Sequence, residues 1–222
     1  FTDKDLKNDN KFWNKHSNFI KNNKRGFGYW LWKPYIILKT MKNMKEGDIL
    51  MYSDCGCEIG SEKQKNIPKF FKYVKKDKII GSIAGPEKDY NKMDLINYLN
   101  MKEQVLKDNV QRQATVIMIL VCKDTKKLVN EWYKLGSKYH LIDDSPSKSK
   151  NFNTFKEHRH DQSIFSLLTK KNNIYSKKSM NDIIYINRNK SGFSHLNSGL
   201  ILSNLSMSLS MSMKQIKIIF II

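Results

Sequence analysis

The sequence predicts an α/β fold with a mostly parallel sheet covered by helices. Three observations predict it. Short apolar runs at residues 49–52, 79–84 and 114–121 read as buried strands. Amphipathic stretches with helical spacing separate and follow them. Gly47 and the pair Gly85-Pro86 punctuate the joints. Strands that alternate with helices point to a layered sheet. With 222 residues, 40% hydrophobic and 11% aromatic, the chain can fill a substantial core, which excludes global disorder.

In chain order, residues 1–24 are polar and rich in Asn and Lys. Trp13, His16 and Ile20 can share one helical face there, and both a helix and a loop fit the pattern. Residues 25–35 combine Gly26 and Gly28 with Phe27, Tyr29, Trp30, Trp32 and Tyr35, and with the cations Arg25 and Lys33. The glycines allow a ligand to approach the backbone closely. Pro34 suits the first turn of a helix, and Ile36, Ile37, Thr40, Met41 and Met44 give that helix an apolar face. Lys33 lies at its start, where free N–H groups already favour anions. The segment reads as a platform for a phosphate and a ring, or as an aromatic mini-core with Lys33 solvated. Gly47 is the expected C-cap.

The run 49–52 then ends in Asp54, followed by Cys55 and Gly56. A carboxylate at the end of a buried strand sits where open α/β sheets bind ligands. It can hold a divalent cation against a diphosphate, or simply cap a turn. Residues 61–76 read as a helix with Ile67, Phe70, Phe71 and Val74 on one face and Pro68 near its start. Residues 79–84 form the second strand, 92–106 a helix, 114–121 the central strand and 123–137 an amphipathic helix. A long Ser/Lys/Asn loop follows Asp143 and Asp144. Asp161, ahead of an apolar helix, is a cap or a site residue, and residues 183–186 are a last short strand. Residues 1–190 are the expected domain. Residues 191–222, with Ser alternating against Leu and Met and an apolar end, read as a low-complexity tail that need not pack.

The formal charge is +19, from 40 Lys and Arg against 21 Asp and Glu. The excess is not one tail: residues 1–45 hold 11 basic and 3 acidic side chains, and residues 145–190 hold 10 and 3. Such a balance favours phosphate-bearing partners, although abundant Lys, Asn and Ile also suit an AT-rich coding bias. Cys55, Cys57 and Cys122 form no disulfide framework and no C-x-x-C pair, so a reducing compartment, the cytoplasm, is expected. No apolar stretch approaches the roughly 20 residues that span a bilayer, and no signal peptide is visible. The chain begins at Phe1, as a fragment of a longer frame would.

Three stretches taken together say more. Gly26-x-Gly28-Tyr29-Trp30-x-Trp32-Lys33-Pro34, Asp48-Ile49-Leu50-x-Tyr52-x-Asp54-x-Gly56-Cys57 and His158-Arg159-His160-Asp161-Gln162-Ser163 resemble, in this order, a family of glycosyltransferases of large DNA viruses and bacterial surface-polysaccharide clusters. Asn130-Glu131-Trp132-Tyr133 and Leu141-Ile142-Asp143-Asp144-Ser145 fit the same pattern. The resemblance covers residues 1–190.

It implies a three-layer, glycosyltransferase A-type fold, with the fold's first strand upstream of Phe1. It also implies transfer of a sugar from a nucleotide-diphosphate donor to a hydroxyl acceptor on a glycan, in the host cytoplasm if the source is viral. Asp54 matches the first carboxylate of the family's Asp-x-Asp motif, which holds Mn²⁺ or Mg²⁺, while Gly56 stands at its last position. Asp161 is the candidate base or sugar anchor. Arg25, Trp30, Lys33, Gln113, His160 and Gln162 are candidate substrate contacts, and His158 or His160 is an alternative metal ligand. Two other readings compete: a basic nucleic-acid-binding protein that uses the aromatic and cationic run 25–33, and a metal-dependent phosphoesterase built on Asp54, His160 and Asp161.

Overall fold

The computed structural model describes residues 1–54, 57–58, 61–186 and 216–220. Its elements, in chain order, are α1 (Asp3–Asn8), α2 (Asn10–Asn22), α3 (Gly26–Tyr29), α4 (Trp32–Lys42), β1 (Ile49–Ser53), β2 (Cys57–Glu58), α5 (Ile67–Asp77), β3 (Ile79–Pro86), α6 (Glu87–Tyr90), α7 (Met93–Leu99), α8 (Lys102–Lys107), β4 (Val110–Leu120), α9 (Lys123–Gly136), α10 (His160–Lys171), β5 (Tyr185–Ile186) and β6 (Ile216–Phe220). The polar N-terminal stretch is helical. Thr2 and Asp5 form a reciprocal capping box at α1, and the Asp9 side chain caps α2.

The main sheet runs β3-β4-β1-β6. Side chains alternate along its strands and serve two cores, as period-two geometry requires. Ile49, Met51, Ile80, Val116 and Met118 pack with Ile67, Phe70, Phe71 and Val74 of α5. Leu50, Tyr52, Ile79, Ile117 and Ile119 pack with α4, α9 and α10 through residues such as Ile37, Leu128, Trp132 and Phe165. The sheet is therefore covered on both faces. Fully burying one such side chain contributes about 1.5–3 kcal/mol.

The expected mostly parallel sheet is corrected. β1 and β3 each pair antiparallel with β4, and β2 pairs antiparallel with β5; the parallel pair is β1 with β6. A continuous apolar run reports burial on both faces and not strand direction. The helical segment between β3 and β4 is broken at Asn100, in the left-handed region at φ 55°, and returns the chain beside β3 with its direction reversed. A second correction concerns α4. It ends at Lys42 with Asn43 as C-cap, and Gly47, at φ 88°, serves the turn into β1. Of the tail, residues 216–220 form β6, while 191–215 and 221–222 lie outside the described residues. Cys55 and Gly56 also lie outside them; Cys122 carries a free thiol.

Candidate active site

A cleft of about 560 Å³ opens at the C-terminal end of β1, inside the range of about 300–1,000 Å³ usual for small-molecule sites. Its lining brings together Arg25, Trp30, Lys33, Asp54, His160, Asp161 and Gln162. More than a hundred residues of chain separate Asp54 from Asp161. Lys33 joins them. Its Nζ lies 3.0 Å from Asp161 Oδ2, 3.6 Å from Asp54 Oδ1, and donates to the Ala114 carbonyl at 3.0 Å. The Lys33 side chain is 4% exposed and that of Asp161 5%, whereas that of Asp54 is 23%. Lys33 is thus not the solvated lysine that one reading of its segment allowed.

Each member is held from its own element. Asp54 follows the last residue of β1, and its backbone N–H donates to the Thr115 carbonyl of β4 at 2.9 Å. The Tyr52 hydroxyl donates to Asp54 Oδ1 at 2.6 Å. Burial, with the neighbouring Asp54 carboxylate, pushes the Tyr52 phenol well above its usual pKa, so it keeps the proton it donates. Asp161 lies in the first turn of α10, and the fully buried Trp132 of α9 donates its indole N–H to the Asp161 carbonyl at 2.8 Å. The carboxylate serves Lys33, so the simple capping role does not describe it. Burial raises the Asp161 pKa to about 6, against the pull of Lys33 and with a further push from Asp54.

The Arg25–Lys33 segment is a left-handed turn. Gly26, Phe27, Gly28, Tyr29 and Trp30 all have φ between 53° and 82°. The left-handed conformation costs about 1–2 kcal/mol for each non-glycine residue, and tertiary packing offsets that here. Tyr29 stacks on His160 with ring centroids 4.7 Å apart. The Trp32 indole donates to the Gly26 carbonyl at 2.9 Å. A Cβ at Gly26 would stand 2.4 Å from the Trp30 ring, so the close approach that this glycine permits is made by the protein's own indole. Tyr29 is buried, and Lys33 points inward.

The two histidines differ. His158 Nε2 donates to the Leu141 carbonyl at 3.0 Å, and its Nδ1 accepts the Lys92 N–H at 3.2 Å. Both nitrogens are used inside the fold, as in a structural histidine, and burial lowers its pKa to about 3, which keeps the ring neutral. His160 donates from Nδ1 to the Ile142 carbonyl at 2.8 Å, which leaves the buried Nε2 as an acceptor without a hydrogen-bond partner among the described residues. Burial lowers its pKa too, which keeps the ring neutral. Its backbone φ of 52° is a strained conformation for a non-glycine residue.

Gln162 lines the cleft, with its Nε2 donating to Gln111 Oε1 at 2.7 Å. Gln113 is not among the lining residues; Thr115, two residues further along β4, takes that place. The strand's edge of the cleft lies nearer its middle than the sequence suggested. Trp32, part of the expected aromatic platform, also lines the cleft, whereas sequence reasoning missed Tyr52, Thr115 and the α1 residues Asp3 and Leu6 in the lining. Tyr52 carried a signal: at two residues from Asp54 it shares that residue's face of the strand.

Among the described residues no three His, Cys, Asp or Glu side chains converge as a closed metal site. Lys33 lies closer to Asp161 than to Asp54, so two carboxylates share one ammonium and the residual negative charge rests on the more exposed Asp54. One carboxylate on a cleft wall fits a hard cation that a diphosphate also coordinates. No helix among the described residues is long and apolar enough to cross a membrane. The chain matches no protein-family model, no curated protein and no solved structure.

Proposed function

We propose that the chain is a glycosyltransferase that moves a sugar from a nucleotide-diphosphate donor to a hydroxyl acceptor, on a glycosyltransferase A-type variant of the helix-covered sheet. The observation that carries the reading is the meeting of Asp54, Asp161 and Lys33 in one cleft walled by two tryptophans and two arginines. Apolar rings beside a few convergent charges suit a ligand with a flat base, a sugar and phosphates.

In the reaction, an acceptor oxygen forms a bond to the anomeric carbon, and the bond from that carbon to the donor phosphate oxygen breaks. The electron pair of that bond leaves on the nucleoside diphosphate. Asp54, together with the donor diphosphate, would hold Mg²⁺ or Mn²⁺, which supplies neutralisation of the charge on the leaving group. Arg25 and Arg159 at the cleft wall add fixed positive charge for the same phosphates. Asp161, with its pKa near 6, is ionised at neutral pH and accepts the acceptor's proton or anchors a sugar hydroxyl. His160 lines the cleft, and its Nε2, 3.6 Å from Asp144 Oδ1, is the acceptor assigned to a sugar hydroxyl. Trp30 offers the sugar an apolar face.

A thermal-shift panel of nucleoside diphosphates and nucleotide sugars, with and without Mn²⁺, tests this. Stabilisation by at least one pair is expected, at about 2.7 kcal/mol when the ligand stands at a hundred times its Kd. A flat panel, with Asp54→Asn and Asp161→Asn leaving transfer to every acceptor tried unchanged, removes the reading.

A further inference from the structure

The rim of the cleft has a charge arrangement that its floor lacks. Arg25, ahead of the left-handed turn, and Arg159, ahead of α10, both line the cleft. One carboxylate holds both. Glu157 Oε1 lies 2.8 Å from Arg159 Nη2, and Oε2 lies 3.7 Å from Arg25 Nη2. Arg25 Nη1 also donates to Asp144 Oδ2 at 3.1 Å. These four side chains are 41–50% exposed. The cleft is walled by the two cations, and neither Asp144 nor Glu157 is among its lining residues.

We propose that Glu157 is an internal substitute for the substrate's diphosphate, holding the two guanidiniums until phosphates displace it, and so sets the affinity and anion selectivity of the cleft. This rests on the nucleotide-diphosphate reading above. Half-exposed ion pairs are weak, so the exchange has little to overcome. A guanidinium grips a phosphate through two parallel hydrogen bonds. A diphosphate brings one phosphate for each arginine, whereas a small carboxylate brings no more than Glu157 already provides. The carboxylate thus acts as a mild competitor: it lowers the cleft's affinity for small anions by a few-fold and yields to a diphosphate. It also keeps two like charges together in the free protein.

The test is isothermal titration of the intact chain, at low salt with Mn²⁺, using a nucleoside diphosphate, pyrophosphate and orthophosphate as separate probes. Glu157→Gln should tighten pyrophosphate and nucleoside diphosphate by about two- to fivefold, the range of a weak exposed pair. Orthophosphate should gain more, so discrimination between the two anions narrows. The gain should vanish in the Glu157→Gln/Arg159→Gln double variant. Glu157 and its partners are half-exposed, so both variants should fold, which circular dichroism checks. Unchanged or weaker diphosphate binding by Glu157→Gln overturns the proposal while leaving the site reading intact. If the folded wild type and Glu157→Gln bind none of the three probes, both fall together.

Discussion

The floor and the rim of the cleft use the same chemistry, carboxylates against cations, in opposite surroundings. On the floor, Lys33 and Asp161 have side chains 4% and 5% exposed and are tied to a backbone carbonyl and a buried indole. On the rim, Arg25, Asp144, Glu157 and Arg159 stand near half exposure. Water and salt screen the rim pairs, so they contribute little to stability and exchange readily. The floor pair cannot exchange, because a lost partner strands a charge away from water. The difference is between groups that the floor fixes and groups that the rim leaves exchangeable.

The largest effect should come from Lys33→Met. Removing one partner of a buried pair costs about 3–5 kcal/mol, measurable by urea unfolding. The double variant Lys33→Met/Asp161→Leu should recover much of that loss, because no buried charge then lacks its counterpart. A double variant as unstable as the single would break the floor side of the comparison.

The next effect is in pH. The folded pKa of Asp161, about 6, lies above its ordinary 3.8, so the native state holds the extra proton between those values. Stability from this group is therefore greatest at low pH and falls as pH rises through 6, by about 3 kcal/mol in all. Comparing wild type with Asp161→Asn across pH 4–7 isolates it. The buried His16 and His158 act in the other direction. Their pKa values are lowered to about 4 and about 3, so their contribution is present above the ordinary 6.5 and is lost as pH falls. If Asp161 is the base, the transfer rate should also rise through pH 6.

Asp54→Asn should abolish the Mn²⁺-dependent part of nucleoside diphosphate stabilisation, up to about 2.7 kcal/mol at a hundred times Kd, with little change in the unliganded melting point. Smallest is the rim. Arg25→Gln should change unfolding free energy by no more than about 1 kcal/mol, and 1 M NaCl should erase that difference. A larger loss would make the rim structural and dissolve the contrast.

Much of this was legible in the residues, for reasons that also explain what was not. The apolar runs located β1, β3 and β4, because a strand buried on both faces needs apolar side chains on both. Strand direction leaves no such trace, so the antiparallel placement of β4 was invisible. The spacing of Ile67, Phe70, Phe71 and Val74 gave α5 and its buried face, and Pro68 falls in its first turn as expected. Asp54, Lys33 and Asp161 were singled out separately. That one ammonium joins the two carboxylates depends on how α4, β1 and α10 pack, and no local pattern encodes it. The left-handed turn was half visible. Gly26 and Gly28 announce positive φ, but Phe27, Tyr29 and Trp30 share it only because packing on His160 and the neighbouring rings holds them there.

That turn has a consequence for how the cleft wall can vary. Gly26 has no room for a single methyl, since the indole of Trp30 lies where it would go. The dependence runs one way: any side chain at Gly26 displaces the Trp30 ring and is strained at its φ of 56°, so the tryptophan can stand in this wall only where the glycine stands behind it.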